Sequence, residues 1–172
     1  MNKLLIVVFV ILFFGNYAAG QNTTSRLTIE SGGSVNFYFN SLEKYKNGIT
    51  YTDWTKLRIY YNDTTDAGGI GIYPTWKLDV KALSPTIDGD AGNTLNLNTI
   101  ELEATGNPGS TGVQALSNID VSLITGGAIT APAATVIFIT YNCGKSILTP
   151  NSLIGKNPDH YVIDIVFTLG RN

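Results

Sequence analysis

The sequence predicts an all-β fold: an antiparallel β-sandwich of the immunoglobulin-like or jelly-roll-like Greek-key kind. Three observations carry that expectation. Apolar residues recur at every second position through most of the chain, the period of a half-buried strand. The alternating runs are short and separated by Gly, Asn and Pro, which punctuate turns. No long segment repeats its apolar residues at helical spacing, so a helical or α/β architecture has nothing to be built from.

The first twenty residues stand apart from this pattern. Lys3 precedes an unbroken apolar run from Leu4 to Phe14, and Ala18-Ala19-Gly20 then supplies small residues. That order is the pattern of a secretory signal peptide, with cleavage near Gly20 and a mature chain from Gln21. The run is shorter than the ~20 apolar residues that span a bilayer, so no membrane span is expected after cleavage. The expected organisation is a signal peptide over 1–20 and one sandwich domain over 21–172, secreted or held at the cell surface.

Leu27 and Ile29 open the first strand, and Val35, Phe37 and Phe39 alternate as a second. Ser41 to Lys46 reads as one or two helical turns, with Ser41 as N-cap and Asn47-Gly48 as the stop. Trp54 to Tyr61 follows, its Leu57, Ile59 and Tyr61 opposing Lys56, Arg58 and Tyr60. Between Trp76 and Ala82 the alternation is cleanest, with Trp76, Leu78, Val80 and Ala82 inward and Lys77, Asp79 and Lys81 wet. Leu95 and Leu97 lie in one phase and Ile100, Leu102 and Ala104 in the other, which predicts a β-bulge near Asn98 and Thr99. Ile119, Val121 and Leu123 form a further strand. Thr135 to Tyr141 is nearly all apolar or β-branched, hence central. Tyr161, Ile163, Ile165, Phe167 and Leu169 close the fold.

Charge narrows the function. The chain has 11 basic and 13 acidic residues, and loss of Lys3 leaves 10 against 13. No basic stripe is present to follow a phosphate backbone, so nucleic acid is not an expected partner. The one cysteine, Cys143, excludes an internal disulfide, so core packing or partners must hold an exported domain together.

Catalytic motifs are absent. His160 is the only histidine, it lies beside Asp159 at the mouth of the last strand, and no G-x-S-x-G elbow accompanies it. It reads as an exposed strand-entry residue, and Cys143, next to Gly144-Lys145, as a buried thiol at a loop edge. Glu101 and Glu103 share a strand face, where like charges mark solvent. Asp88 and Asp90, in Asp88-Gly89-Asp90-Ala91-Gly92-Asn93, are a weak metal candidate. Alternate carboxylates in a tight turn can converge on calcium, yet Gly92 and Thr99 occupy positions where an EF-hand loop needs ligands. A plain Gly/Asp turn is the expectation, with no cofactor.

If successive strands run antiparallel, loops 62–75, 105–118 and 142–158 gather at one end, and loops 83–94 and 125–134 at the other. Long loops on a rigid scaffold are where binding sits. Asn62, Asp63, Asp66, Tyr73, Asn107 and Asn142 are the ligand-binding candidates at the first end. Tyr45, Tyr51, Tyr60 and Tyr73 are candidates for a sugar-stacking platform, though tyrosine is equally at home in strands.

Trp76-Lys77-Leu78, then Leu95-Asn96-Leu97 and the closing Tyr161–Leu169 strand, resemble bacterial WxL-type surface domains. The closing strand is also similar to those of pilin-like β-sandwich proteins. The resemblance covers the second half of the chain and implies a surface location and a cell-wall or filament role. Phe167 stands where WxL domains carry a second tryptophan, and the disulfide of many chaperone–usher pilins is missing. Three functions remain open: an exported structural or adhesion module meeting a protein partner or assembling through edge strands, a carbohydrate-binding module, and a hydrolase centred on His160.

Overall fold

The computed structural model describes residues 23–63, 75–130, 133–144 and 153–172. The expected signal peptide, with Asp66 and Tyr73, lies outside them. Eleven strands form three antiparallel sheets around one continuous apolar core, the expected all-β sandwich.

The strands are β1 (Thr23–Ser31), β2 (Ile49–Asp63), β3 (Thr75–Ala82), β4 (Thr86–Gly89), β5 (Thr94–Asn96), β6 (Ile100–Thr105), β7 (Gln114–Ala115), β8 (Val121–Ala128), β9 (Thr135–Cys143), β10 (Tyr161–Val162) and β11 (Ile165–Arg171). One sheet has the order β1-β2-β9-β6-β7, so apolar β9 is central, as its composition requires. The others run β11-β3-β8 and β10-β4-β5. Leu57, Ile59, Leu102, Ile137 and Ile139 from the large sheet meet Trp76, Leu78, Val80 and Leu123 from the second, and all are at most 1 % exposed.

Trp76 is the bulkiest of these. Its indole Nε1 donates to the Ala128 carbonyl at 2.7 Å, which satisfies its one polar group in the core. Gly127 lies flat against the ring: a Cβ there would stand 2.2 Å from Trp76 Cε2.

The one α-helix among the described residues, α1 (Leu42–Asn47), ends where expected. Ser41 Oγ accepts from the Lys44 amide at 3.3 Å, and Gly48 leaves the helix at φ 69°.

Four expectations need correction. The Val35-Phe37-Phe39 run is extended but belongs to no sheet. The phase slip at Asn98-Thr99 is a 3-10 turn, Leu97–Thr99, that carries the chain from the β10-β4-β5 sheet to the large one. A change of sheet reverses which neighbours lie inward, so a bulge is not needed. Glu101 and Asp79 are buried, at 1 % and 5 % exposure, rather than wet. Asp79 takes Ser122 Oγ–H at 2.6 Å and pairs with Lys77 at 2.6 Å.

The loop grouping also differs. Ile59 faces Thr135 and Thr105 faces Phe138, whereas Ile49 and Ile100 both face Cys143. Loops 62–75, 105–118 and 125–134 therefore leave from one end, and 83–94 and 142–158 from the other. The parity changes inside 105–118, where β7 turns back antiparallel along β6, so that β8 begins at the end opposite the one where β6 finishes.

Replacing Gly127 by Ala forces Cβ into the Trp76 ring, so we expect a loss of about 1–3 kcal/mol by denaturant unfolding. An unchanged midpoint would contradict this packing.

Candidate functional site

The candidates from sequence do not converge. Asn62 and Asp63 are the last residues of β2, and Asp63 is buried. Asn107 Oδ1 accepts the Gly109 amide at 2.8 Å and closes its own turn. It borders a small cavity of about 280 Å³ beside Ala128–Thr130. Asn142 belongs to β9 at the opposite end, is 6 % exposed, and takes Thr50 Oγ1–H at 2.6 Å. A common site at one end is thus overturned by the strand directions. The tyrosines do not share a platform either: Tyr45 packs on Phe39, Tyr51 on Phe37 and Trp54, and Tyr60 lies across from Arg26.

The Asp88–Asn93 turn is fastened from outside. Asp159 accepts the Ala91 amide at 3.1 Å and Asn93 Nδ2–H at 2.9 Å, while Asn157 donates to Asn93 Oδ1 at 2.6 Å. Asp88 accepts from Thr86 at 2.7 Å, and Asp90 faces His160 Nδ1 at 3.2 Å. Each carboxylate has a separate partner. No group of three His, Cys, Asp or Glu side chains able to hold a metal occurs among the described residues. The Asn93 side-chain amide, with the Ala91, His160 and Asn93 backbone amides, holds the Asp159 carboxyl below its ordinary value.

Cys143, at the end of β9, is 7 % exposed, and desolvation pushes its thiol up to about 12. A nucleophilic thiolate needs the opposite shift. His160 is 76 % exposed on its side chain.

The feature that sequence reading missed is an open seam. β1 runs in register with the second half of β2 as far as Ser31↔Lys56, then parts from it at Gly32. Beyond that point the first half of β2 swells: the five residues from Tyr51 to Thr55 span what three, from Tyr141 to Ile139, span on β9, and Asp53 adopts φ 51°. Side chains bridge the gap. Thr55 Oγ1–H, Trp54 Nε1–H, Tyr51 O–H and Lys44 Nζ–H donate to the carbonyls of Gly32, Ser34, Asn36 and Tyr38, at 2.5, 2.9, 3.0 and 3.2 Å.

Across from this segment lie residues 158–164, which contain β10 and lead into β11, an edge strand of its sheet. Between the two lies a cavity of about 850 Å³. Val35, Phe37 and Phe39 form one wall, Tyr161, Ile163 and Ile165 the other, and Ile87, Leu95, Ile100, Tyr141 and Leu153 the floor. Floor residues are buried, whereas wall residues are only half-buried and Ile29 is 51 % exposed. Among the described residues, the alternating runs at both margins of the sandwich thus lack a covering layer. Their period was legible; their missing neighbour was not.

No protein-family model matches this chain, and no curated protein matches it. No helix among the described residues is long and apolar enough to cross a membrane.

Two outcomes follow. Cys143 should resist a thiol reagent in the folded protein near neutral pH and react fully after unfolding; rapid labelling of the native protein would refute its burial. The lowered Asp159 carboxyl stabilises the turn above the ordinary carboxylate range, and that contribution disappears as pH falls through the lowered value. The Ala91 and Asn93 amide resonances should therefore titrate in acid, and Asp159→Ala should abolish that titration.

Proposed function

We propose that this chain is an exported, non-catalytic structural or adhesion module, a subunit of an extracellular or envelope assembly. One observation carries the reading: the sandwich is open along one margin, where two extended edges flank an apolar floor. Unpaired strand edges are templates for pairing with another chain, and proteins that remain single cover or charge them. Here the longest edge instead borders half-exposed Ile29, Val35, Phe37 and Ile163. The export pattern at the N-terminus and the resemblance of the closing strand to surface domains support the same reading.

A second reading, a carbohydrate-binding module, draws on Trp54, 42 % exposed and tilted against Tyr51 with ring centroids 4.9 Å apart, and on Tyr38, 67 % exposed. The Trp54 indole N–H and the Tyr51 hydroxyl are already spent on the Ser34 and Asn36 carbonyls, which favours the structural role.

Light scattering and electron microscopy of the exported protein, recovered from the medium alone and with its cell-surface fraction, test the proposal. Oligomers or stable incorporation into a larger particle are expected. A strict monomer that associates with nothing, yet binds a glycan array and loses that binding in Trp54→Ala, would replace the module reading with the lectin one.

A further inference from the structure

Resting on that reading, we propose that the seam is a docking groove for one extended segment of another polypeptide. That segment carries apolar residues at alternate positions and Lys or Arg among its solvent-facing residues.

Backbone chemistry argues for a peptide. In an extended chain the N–H and C=O of one residue point to the same edge, and successive residues alternate. The carbonyls of Gly32, Ser34, Asn36 and Tyr38 all point toward β2 and α1, where side chains take them up. The backbone groups of Gly33, Val35, Phe37 and Phe39 must then face the other way, into the seam. On the opposite wall the His160 and Asp164 carbonyls accept the Asp90 and Leu83 amides at 3.2 and 3.0 Å. Tyr161 and Ile163, of opposite parity, face the seam in turn. Both walls therefore offer free ladder positions to the same gap, and only another backbone satisfies both. A compact apolar ligand would leave those donors and acceptors desolvated and unpaired.

Side chains set the pattern of the guest. The walls and floor are apolar at period two, so alternate residues of an inserted strand point inward while the rest face water. The walls run in opposite directions, because β1 continues into 33–39 antiparallel to β2, and β11 is antiparallel to β3. A guest is antiparallel to one wall and parallel to the other.

Charge supplies a further preference. Asp159 and Asp164 line the 158–164 wall together with Lys156 and His160; Asp88 lies beside it across from Val162, and Asp90 faces His160. On the other side Lys44 is engaged by the Tyr38 carbonyl, and Glu43 and Lys46 of α1 offset one another. The rim is net acidic, which suits basic residues on the guest.

The probe is a nine-residue peptide of alternating valine and threonine, with lysine at two of the threonine positions, titrated into the exported protein. Saturable binding is expected. It should weaken with added salt and when glutamates replace the lysines. Val35→Lys and Ile163→Lys should each weaken it about tenfold or more. Should either variant unfold, hydrogen exchange on the unmodified protein decides: the peptide must protect the Gly33, Val35, Phe37, Phe39, Tyr161 and Ile163 amides selectively. Equal binding of a sequence-scrambled peptide, or binding without that protection, overturns the groove. Assembly that persists in Val35→Lys and Ile163→Lys overturns the groove while leaving the module reading intact. Absence of both assembly and peptide binding removes both.

Discussion

The arrangement depends on how β1 parts from β2 at Gly32. That residue sits at φ 69°, and a Cβ on it would stand 2.2 Å from the Trp54 carbonyl oxygen and 2.8 Å from Thr55 Cα. Only glycine tolerates both the left-handed conformation and the close approach. The irregularity between Ile29 and Ser31 begins the divergence, and the swelling of β2 around Asp53 completes it. Up to Ser31 the edge is fixed by a backbone ladder; past it, four side-chain donors at alternate carbonyls do the same work. One strand edge is consumed and the other is left for something else. The seam is therefore built by the chain, and is not a packing fault.

Much of the fold was legible in the sequence. Trp76–Ala82 alternates cleanly because one of its faces is pure core, and Thr135–Tyr141 lacks alternation because it is central. The helix announced itself through Ser41 and Gly48. What failed has a common cause: period-two patterning reports that a chain is extended with one face turned inward, and says nothing about its ladder partners. Val35, Phe37 and Phe39 satisfy the pattern with no partner strand. Leu97 and Ile100 break it through a change of sheet, which has the same signature as a bulge. Glu101 and Asp79 were misplaced because charge was read as exposure, whereas Asp79 is held by Lys77 on its own strand and by Ser122 across the ladder.

The candidate site was hidden for a related reason. Polar loop residues drew attention because chemistry on rigid scaffolds usually sits in loops. Here the described polar residues mostly serve the fold: Asn107 closes a turn, Asn142 ties β9 to β2, and Asp159 with Asn157 pins the Asp88–Asn93 turn. The distinctive surface is apolar, and its signal in the sequence was quantity. The chain has more inward-facing alternating runs than the sheets can cover, and the surplus falls at both margins of one seam.

The directions of β1 and β11 have a mechanical consequence. β1 enters beside the end of β2, at Thr23↔Asp63, and β11 leaves beside the start of β3, at Arg171↔Trp76, so both terminal strands meet the same end of the sandwich. Each is a margin strand held by a single ladder. Tension between the two ends of the chain acts across those ladders and opens them one hydrogen bond at a time, like a zipper. A strand lying lengthwise in the seam and pulled along its own axis would load many bonds at once. By that geometry the molecule is weak to traction on its own ends, and would be strong to traction on a strand held along its margin.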